Sequence, residues 1–148
     1  MSAAEIYLQP TPTLPPLAVA QGRLEVLVAE DEPKLRERLV AQLHALGVSP
    51  RVTSKGYETL QAVEQHRPDL ILLDGLLPEM HGFEIARFIR RMDRDYSPRI
   101  AIVTAIYKHI RYQNEAKLKY GIDDYLLKPV DDLELAKLVV HARREKHS

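Results

Sequence analysis

Apolar and polar positions fall in blocks along this chain. From Arg23 onward, short runs rich in branched and aliphatic residues recur at Leu24–Ala29, near Val48–Thr53, and at Leu70–Leu73, Arg99–Val103 and Asp124–Leu127. A short continuous apolar run bounded by turn residues predicts a strand buried on both faces, as in a parallel sheet. Between the runs the period changes to that of a helix. Pro33 suits a first helical turn, and Leu35, Leu39, Leu43 and Leu46 form an apolar stripe that Gly47 ends. Gly56–His66 carries Leu60 and Val63 and closes before Pro68. Gly82–Met92 is predicted to bury Ile85, Ala86 and Ile89 and to expose Arg87, Arg90 and Arg91. Residues 108–120 predict a polar helix stopped by Gly121. Asp131 or Asp132 can cap a last helix, with Leu133, Ala136, Leu138 and Val140 expected to face inward.

Five strand-then-helix units imply an α/β fold, a doubly wound parallel sheet with helices on both faces and right-handed crossovers. For five strands the expected order is 2-1-3-4-5, which puts strands 1 and 3 beside the switch-point crevice. Residues 1–22 lack a sustained apolar period and crowd Pro10, Pro12, Pro15 and Pro16, so they are expected to form an extended tail or linker. The folded domain is expected over 23–148.

Composition narrows the function classes. Of 148 residues, 45% are hydrophobic and 28% charged, which suits one domain with a real core. Lys plus Arg and Asp plus Glu both number 21, and this balance argues against a general nucleic-acid binder. The chain has no Cys, which removes disulfides, a thiolate nucleophile and zinc–thiolate chemistry. No run approaches the roughly 20 apolar residues that span a bilayer, and the start lacks a secretory signal pattern. A cytoplasmic protein without membrane contact is the expectation.

The chemistry-bearing residues lie where the predicted strands end. Strand 1 runs into Glu30 and Asp31, strand 3 into Asp74, strand 4 into Thr104 and strand 5 into Lys128. Alone, each has a plain explanation as a cap, turn or solvated residue; together they converge on one crevice. Three carboxylates there repel one another and call for a counter-charge. Mg²⁺ suits a site with few carboxylates, retained waters and a phosphate to bind, and Mn²⁺ could substitute. Lys128 adds a point charge for a phosphoryl oxygen. There is no Ser–His pair and no Gly-rich phosphate loop, whereas a carboxylate attacking phosphorus to give an acyl phosphate is well served.

The motifs VLVAEDEP, LILLDGLLPEMHGFE, IAIVTA and GIDDYLLKPV resemble those of response-regulator receiver domains, over roughly Leu24–Arg144. The resemblance implies a flavodoxin-like (βα)5 fold that serves as a phosphoacceptor in two-component signalling and is not an enzyme. It implies Asp74 as the phosphorylation site and Asp31 and Asp74 as direct Mg²⁺ ligands. Glu30 would reach the metal through water, and the main-chain carbonyl of Leu76 would complete the protein ligands. Lys128 would bind the phosphoryl group, and Pro129 would follow a cis peptide. Thr104 and Tyr125 match the positions whose coupled movement reports phosphorylation. The implied partners are a sensor histidine kinase or phosphotransfer protein and an output protein bound through helix 4, strand 5 and helix 5.

Three positions depart from the family pattern. Glu30 stands where Asp is commoner, and His81 replaces a frequent Asp in the loop after the phosphosite. The stretch from Thr104 to Gly121 is long and basic at its start. Lys108, His109, Arg111, Lys117 and Lys119 there suit either a solvated face or an acidic partner surface, with Tyr107, Tyr112 and Tyr120 as anchors. A phosphorylation-independent scaffold and a flavodoxin-like cofactor binder are the rival readings.

Overall fold

The structure, a computed structural model, describes residues 23–105 and 110–147; of residues 110–113 and 116 it describes the backbone alone. The elements alternate as β1 (Val26–Ala29), α1 (Pro33–Ala45), β2 (Arg51–Thr53), α2 (Gly56–His66), β3 (Leu70–Asp74), α3 (Gly82–Met92), β4 (Arg99–Thr104), α4 (Ile110–Tyr120), β5 (Asp124–Leu127) and α5 (Asp132–Lys146). The five strands are parallel in the order β2-β1-β3-β4-β5. This is the flavodoxin-like architecture expected from the alternation. The Pro-rich stretch 1–22 lies outside the described residues, as do Tyr107, Lys108 and His109 and the side chains of Arg111 and Tyr112.

Successive strand residues point to opposite faces, which explains why the runs are apolar throughout. Val26, Val28, Leu70, Leu72, Ala101 and Val103 pack beneath Leu39 and Leu43 of α1 and Leu135, Leu138, Val139 and Ala142 of α5. Leu27, Ala29, Ile71, Leu73, Ile100 and Ile102 meet Leu60 and Val63 of α2 and Ile85, Ala86 and Ile89 of α3 on the other face. The register pairs Ala29 with Leu73, Asp74 with Val103 and Thr104 with Leu127. Glu30, Asp74, Thr104 and Lys128 therefore leave the sheet at one edge.

Three local expectations need correction. β2 starts at Arg51 and not near Val48, because the Val48 amide donates to Leu43 O and closes the end of α1. On α5, Leu133 and Val140 are exposed. Asp131 caps the helix by accepting from Glu134 N, and the stripe that packs on the sheet is Leu135, Leu138, Val139 and Ala142. Arg90 is the third. Its guanidinium donates to Gly121 O (2.7 Å), Pro98 O (2.7 Å) and Asp123 Oδ2 (2.8 Å). Asp123 Oδ2 also accepts from Ile100 N, so Arg90 ties α3 to the start of β4 and to the α4–β5 turn. Gly121 has φ +70°, and a Cβ there would lie 2.6 Å from Arg90 Cγ.

The opposite edge of the sheet is held by Arg99 bridging Asp124 and Glu145 and by Lys146 bridging Asp69. Arg90→Ala leaves two carbonyls and a carboxylate without this donor and is expected to cost about 2 kcal/mol, measured as a lower midpoint in urea at unchanged slope.

Candidate functional site

β1 delivers Glu30 to the carboxyl edge and turns its side chain inward, to 1% exposure. Asp31, the next residue, is exposed. Asp74, the last residue of β3, is buried. The ligand oxygens of Glu30, Asp31 and Asp74 all lie within 4.8 Å of one another. From β5, Lys128 brings its ammonium into the cluster, with Nζ 2.6 Å from Glu30 Oε1 and 3.3 Å from Asp74 Oδ2. The main chain completes the frame. Leu76 N donates to Asp74 Oδ1 at 3.0 Å, and Glu32 N to Glu30 Oε2 at 3.3 Å. Arg36 of α1, which the sequence did not single out, donates to Glu30 O at 3.0 Å.

Thr104 is buried at the end of β4, and its carbonyl accepts the Lys128 amide at 2.8 Å. The Lys128–Pro129 peptide is cis. Tyr125 is half-buried, with its ring centroid 6.1 Å from that of Phe83. Phe83 also meets Tyr120 edge-on at 5.5 Å. Phe83 was read only as part of a motif, yet its ring edge lies 3.2 Å from where a Cβ on Gly75 would sit. A Cβ on Gly82 would run into the Asp74 carbonyl oxygen. Gly82 is thus required by close approach to the Asp74 backbone, and Gly75 is tightly packed against Phe83. His81 is exposed at the N-cap of α3. Among the described cations of α4, Lys117 is half-buried, and Lys119 is exposed with Nζ 5.2 Å from the Tyr120 ring centroid.

A family model described as the response regulator receiver domain matches residues 26–140. The chain belongs to the response regulator receiver family. As a receiver domain it is a signalling phosphoacceptor module and not a catalytic enzyme, and it implies a cognate histidine kinase. It is similar to the transcriptional regulatory protein BaeR of Escherichia coli, with 37% identity over 83% of this chain and 49% of BaeR. An uncharacterized 14.6 kDa protein from the sodA1 3′ region of Leptolyngbya boryana is 35% identical over 80% of this chain and 88% of its own. The receiver domain thus spans about half of BaeR and most of the Leptolyngbya protein. The solved receiver domain of the sensor histidine kinase PA1611 from Pseudomonas aeruginosa, which has a magnesium ion coordinated in its active-site cleft, superposes with TM-score 0.70. It shares 30% identity over 84% of this chain and 98% of its own. The receiver domain of the Francisella response regulator 1452 gives TM-score 0.74 at 26% identity, covering 83% and 98%. Among the described residues of the receiver, no helix is long and apolar enough to cross a membrane.

Burial and proximity divide the three carboxylates by role. Burial pushes the Glu30 carboxyl up to about 7, and the hydrogen bond it shares with Asp74 adds to the rise, while Lys128 offsets part of it. Burial alone would raise Asp74 too, but hydrogen bonds from Glu30, the Leu76 amide and Lys128 outweigh it and hold Asp74 below its ordinary value. Burial would lower Lys128; its contacts with Glu30 and Asp74 raise it instead. The donor set is all oxygen and carries more negative charge than Lys128 balances, which fits a hard divalent cation at the exposed side near Asp31.

The sign for stability follows from linkage. Glu30's folded value of about 7 exceeds the ordinary 4.5, so its contribution is complete below 4.5 and is lost as pH rises through about 7. Asp74 acts oppositely, contributing above its ordinary range and losing that contribution in acid. In metal-free protein, Glu30→Gln is expected to flatten the fall in unfolding free energy between about 4.5 and 7, read from urea curves across that range. An unchanged slope would rule out Glu30 as its source.

Proposed function

We propose that this receiver accepts a phosphoryl group on Asp74 in a Mg²⁺-dependent reaction and passes the change to a protein-interaction face. The observation that carries the reading is Asp74 itself: a buried carboxylate, kept ionised, beside an ammonium and two further acids. The donor is a phosphohistidine on the kinase or a phosphotransfer protein, or a small acyl phosphate. An Asp74 carboxylate oxygen forms the new O–P bond as the donor's P–N or P–O bond breaks. The leaving imidazole or carboxylate keeps the electron pair, and the imidazole takes a proton from solvent.

Asp31, Asp74 and the Leu76 carbonyl would hold Mg²⁺, with Glu30 reaching it through water. The magnesium in the cleft of the PA1611 receiver supports that assignment. The cation supplies charge compensation for the transferring phosphoryl oxygens. Lys128, already in contact with Asp74, binds one of those oxygens after transfer.

The acyl phosphate adds about −1.5 to −2 charge and three acceptor oxygens. The Thr104 hydroxyl turns to one of them and Tyr125 packs into the space vacated, reshaping the face of α4, β5 and α5. That face recruits a protein partner, and direct nucleic-acid contact forms no part of the reading.

Incubation with Mg²⁺ and acetyl phosphate should add the mass of one phosphoryl group. The gain should vanish in Asp74→Asn and when the metal is chelated. No gain in the wild-type chain would favour a phosphorylation-independent scaffold. Tyr125→Ala should keep the mass gain but lose most of the phosphorylation-induced shift in α5 amide resonances; a full shift would remove Tyr125 from the switch.

A further inference from the structure

The loop between β3 and α3 carries Leu76 and shapes the mouth of the site. It is closed at its base, where Gly82 N donates to Gly75 O at 3.2 Å. Its far side rests on a different element. Gly56, the first residue of α2, donates its amide to Pro78 O at 3.0 Å, and the next amide, of Tyr57, reaches Glu79 Oε1 at 3.4 Å. The loop and the helix start touch so closely that side-chain atoms are excluded. A Cβ on Gly56 would lie 2.6 Å from Met80 Cβ, 2.9 Å from Met80 N and 3.2 Å from Met80 Cα. Two of those three atoms are backbone, so no rotamer change relieves the contact. Glu79 meanwhile adopts φ +73°, the left-handed region that a non-glycine residue seldom takes. The loop conformation is therefore held from outside, by the first turn of α2.

We infer that Gly56 is a positioning residue for the cation site, acting through the Pro78–Met80 segment on the Asp74–Leu76 backbone. The inference rests on the proposed Mg²⁺ reading and deepens it. Gly56 touches none of the three carboxylates. It sets how far the loop can close over α2, and thereby where the Leu76 carbonyl stands relative to Asp31 and Asp74. Displacing Met80 by even part of the missing distance moves the ligand-bearing segment, and Mg²⁺ demands near-ideal octahedral geometry. The site has a lever on α2, outside the acidic cluster.

Isothermal titration with Mg²⁺ alone, on the full metal-free chain, tests this. Gly56→Ala should weaken Mg²⁺ binding at least fivefold relative to wild type. Gly47→Ala is the comparison for stability, since Gly47 has φ +78° with nothing within 4 Å of an added Cβ. It should lower the melting temperature and leave Mg²⁺ affinity unchanged. Met80→Gly in the Gly56→Ala background removes the closest contact and should recover part of the affinity. If Gly56→Ala does not fold, amide exchange in the wild-type chain decides. Mg²⁺ should slow exchange at Gly56, whose amide is bonded to the loop, while leaving amides in the middle of α1 unaltered. Wild-type Mg²⁺ affinity in Gly56→Ala, or a Gly56 amide indifferent to Mg²⁺, overturns the positioning role. Failure of the wild-type chain to bind Mg²⁺ at all overturns the metal reading and this inference together. Loss of binding in Asp31→Asn with normal binding in Gly56→Ala overturns the inference alone.

Discussion

Two carboxylates, on Glu30 and Asp74, are withdrawn from water at the carboxyl edge of the sheet and share the single ammonium of Lys128. Removing charged groups from water costs several kcal/mol each unless they are paired and hydrogen-bonded. The receiver meets that cost with contacts from three strands at once. β1 brings Glu30, β3 brings Asp74 and the Leu76 amide, and the end of β5 brings Lys128. The parallel sheet in the order 2-1-3-4-5, with helices covering both faces, delivers those ends to one place. The burial of each strand, the two-sided core and the short loops at this edge are the conditions under which such a charge cluster persists.

The same strand ends connect the cluster to the rest of the molecule. The Lys128 amide bonds the Thr104 carbonyl, so the residue after β5 that contacts Asp74 is tied to the last residue of β4. Phe83 lies beneath Gly75 on one side and meets Tyr125 and Tyr120 on the other. Arg90 anchors the turn between α4 and β5 to α3. The end of α4 is thereby fastened to α3 by an aromatic contact and by an ionic one.

Much of this was legible in the residues because strand period and turn chemistry are local. The bounds of α2, α3 and β5 could be read from Gly56, Pro68, Gly82 and Gly121. The convergence of Glu30, Asp31, Asp74, Thr104 and Lys128 followed once five parallel units were recognised. What escaped depends on contacts far apart in sequence. Arg90 looks like one of three solvated arginines on a helix, and nothing in its own neighbourhood announces Gly121, Pro98 and Asp123. The phase of α5 is ambiguous in the sequence because Leu133 and Val140 are as apolar as the residues actually buried, and packing against β1, β3 and β4 is what selects Leu135, Leu138, Val139 and Ala142. Gly75 and Gly56 are visible as glycines, but the tight packing of Gly75 on Phe83 and the need for Gly56 beside Met80 arise from contacts that the chain brings close only on folding.

The longer acid at Glu30 gives the site a particular resting arrangement. The Glu30 carboxylate lies 2.6 Å from Lys128 Nζ, nearer than Asp74 at 3.3 Å. Without a phosphoryl group the ammonium is thus held chiefly by Glu30, and Asp74 retains part of its hydrogen-bonding capacity for the Leu76 amide. On the proposed reading, a phosphoryl group on Asp74 would bring more negative charge than Glu30 and present it on the Asp74 side. Moving Lys128 by a fraction of an ångström toward it strengthens that contact and loosens the one to Glu30. Since the Lys128 amide is bonded to the Thr104 carbonyl, the residue that would answer the new charge is tied to the end of β4. Glu30 and Asp74 share one cation across the cleft, and on that reading the charge on Asp74 would decide where the cation rests.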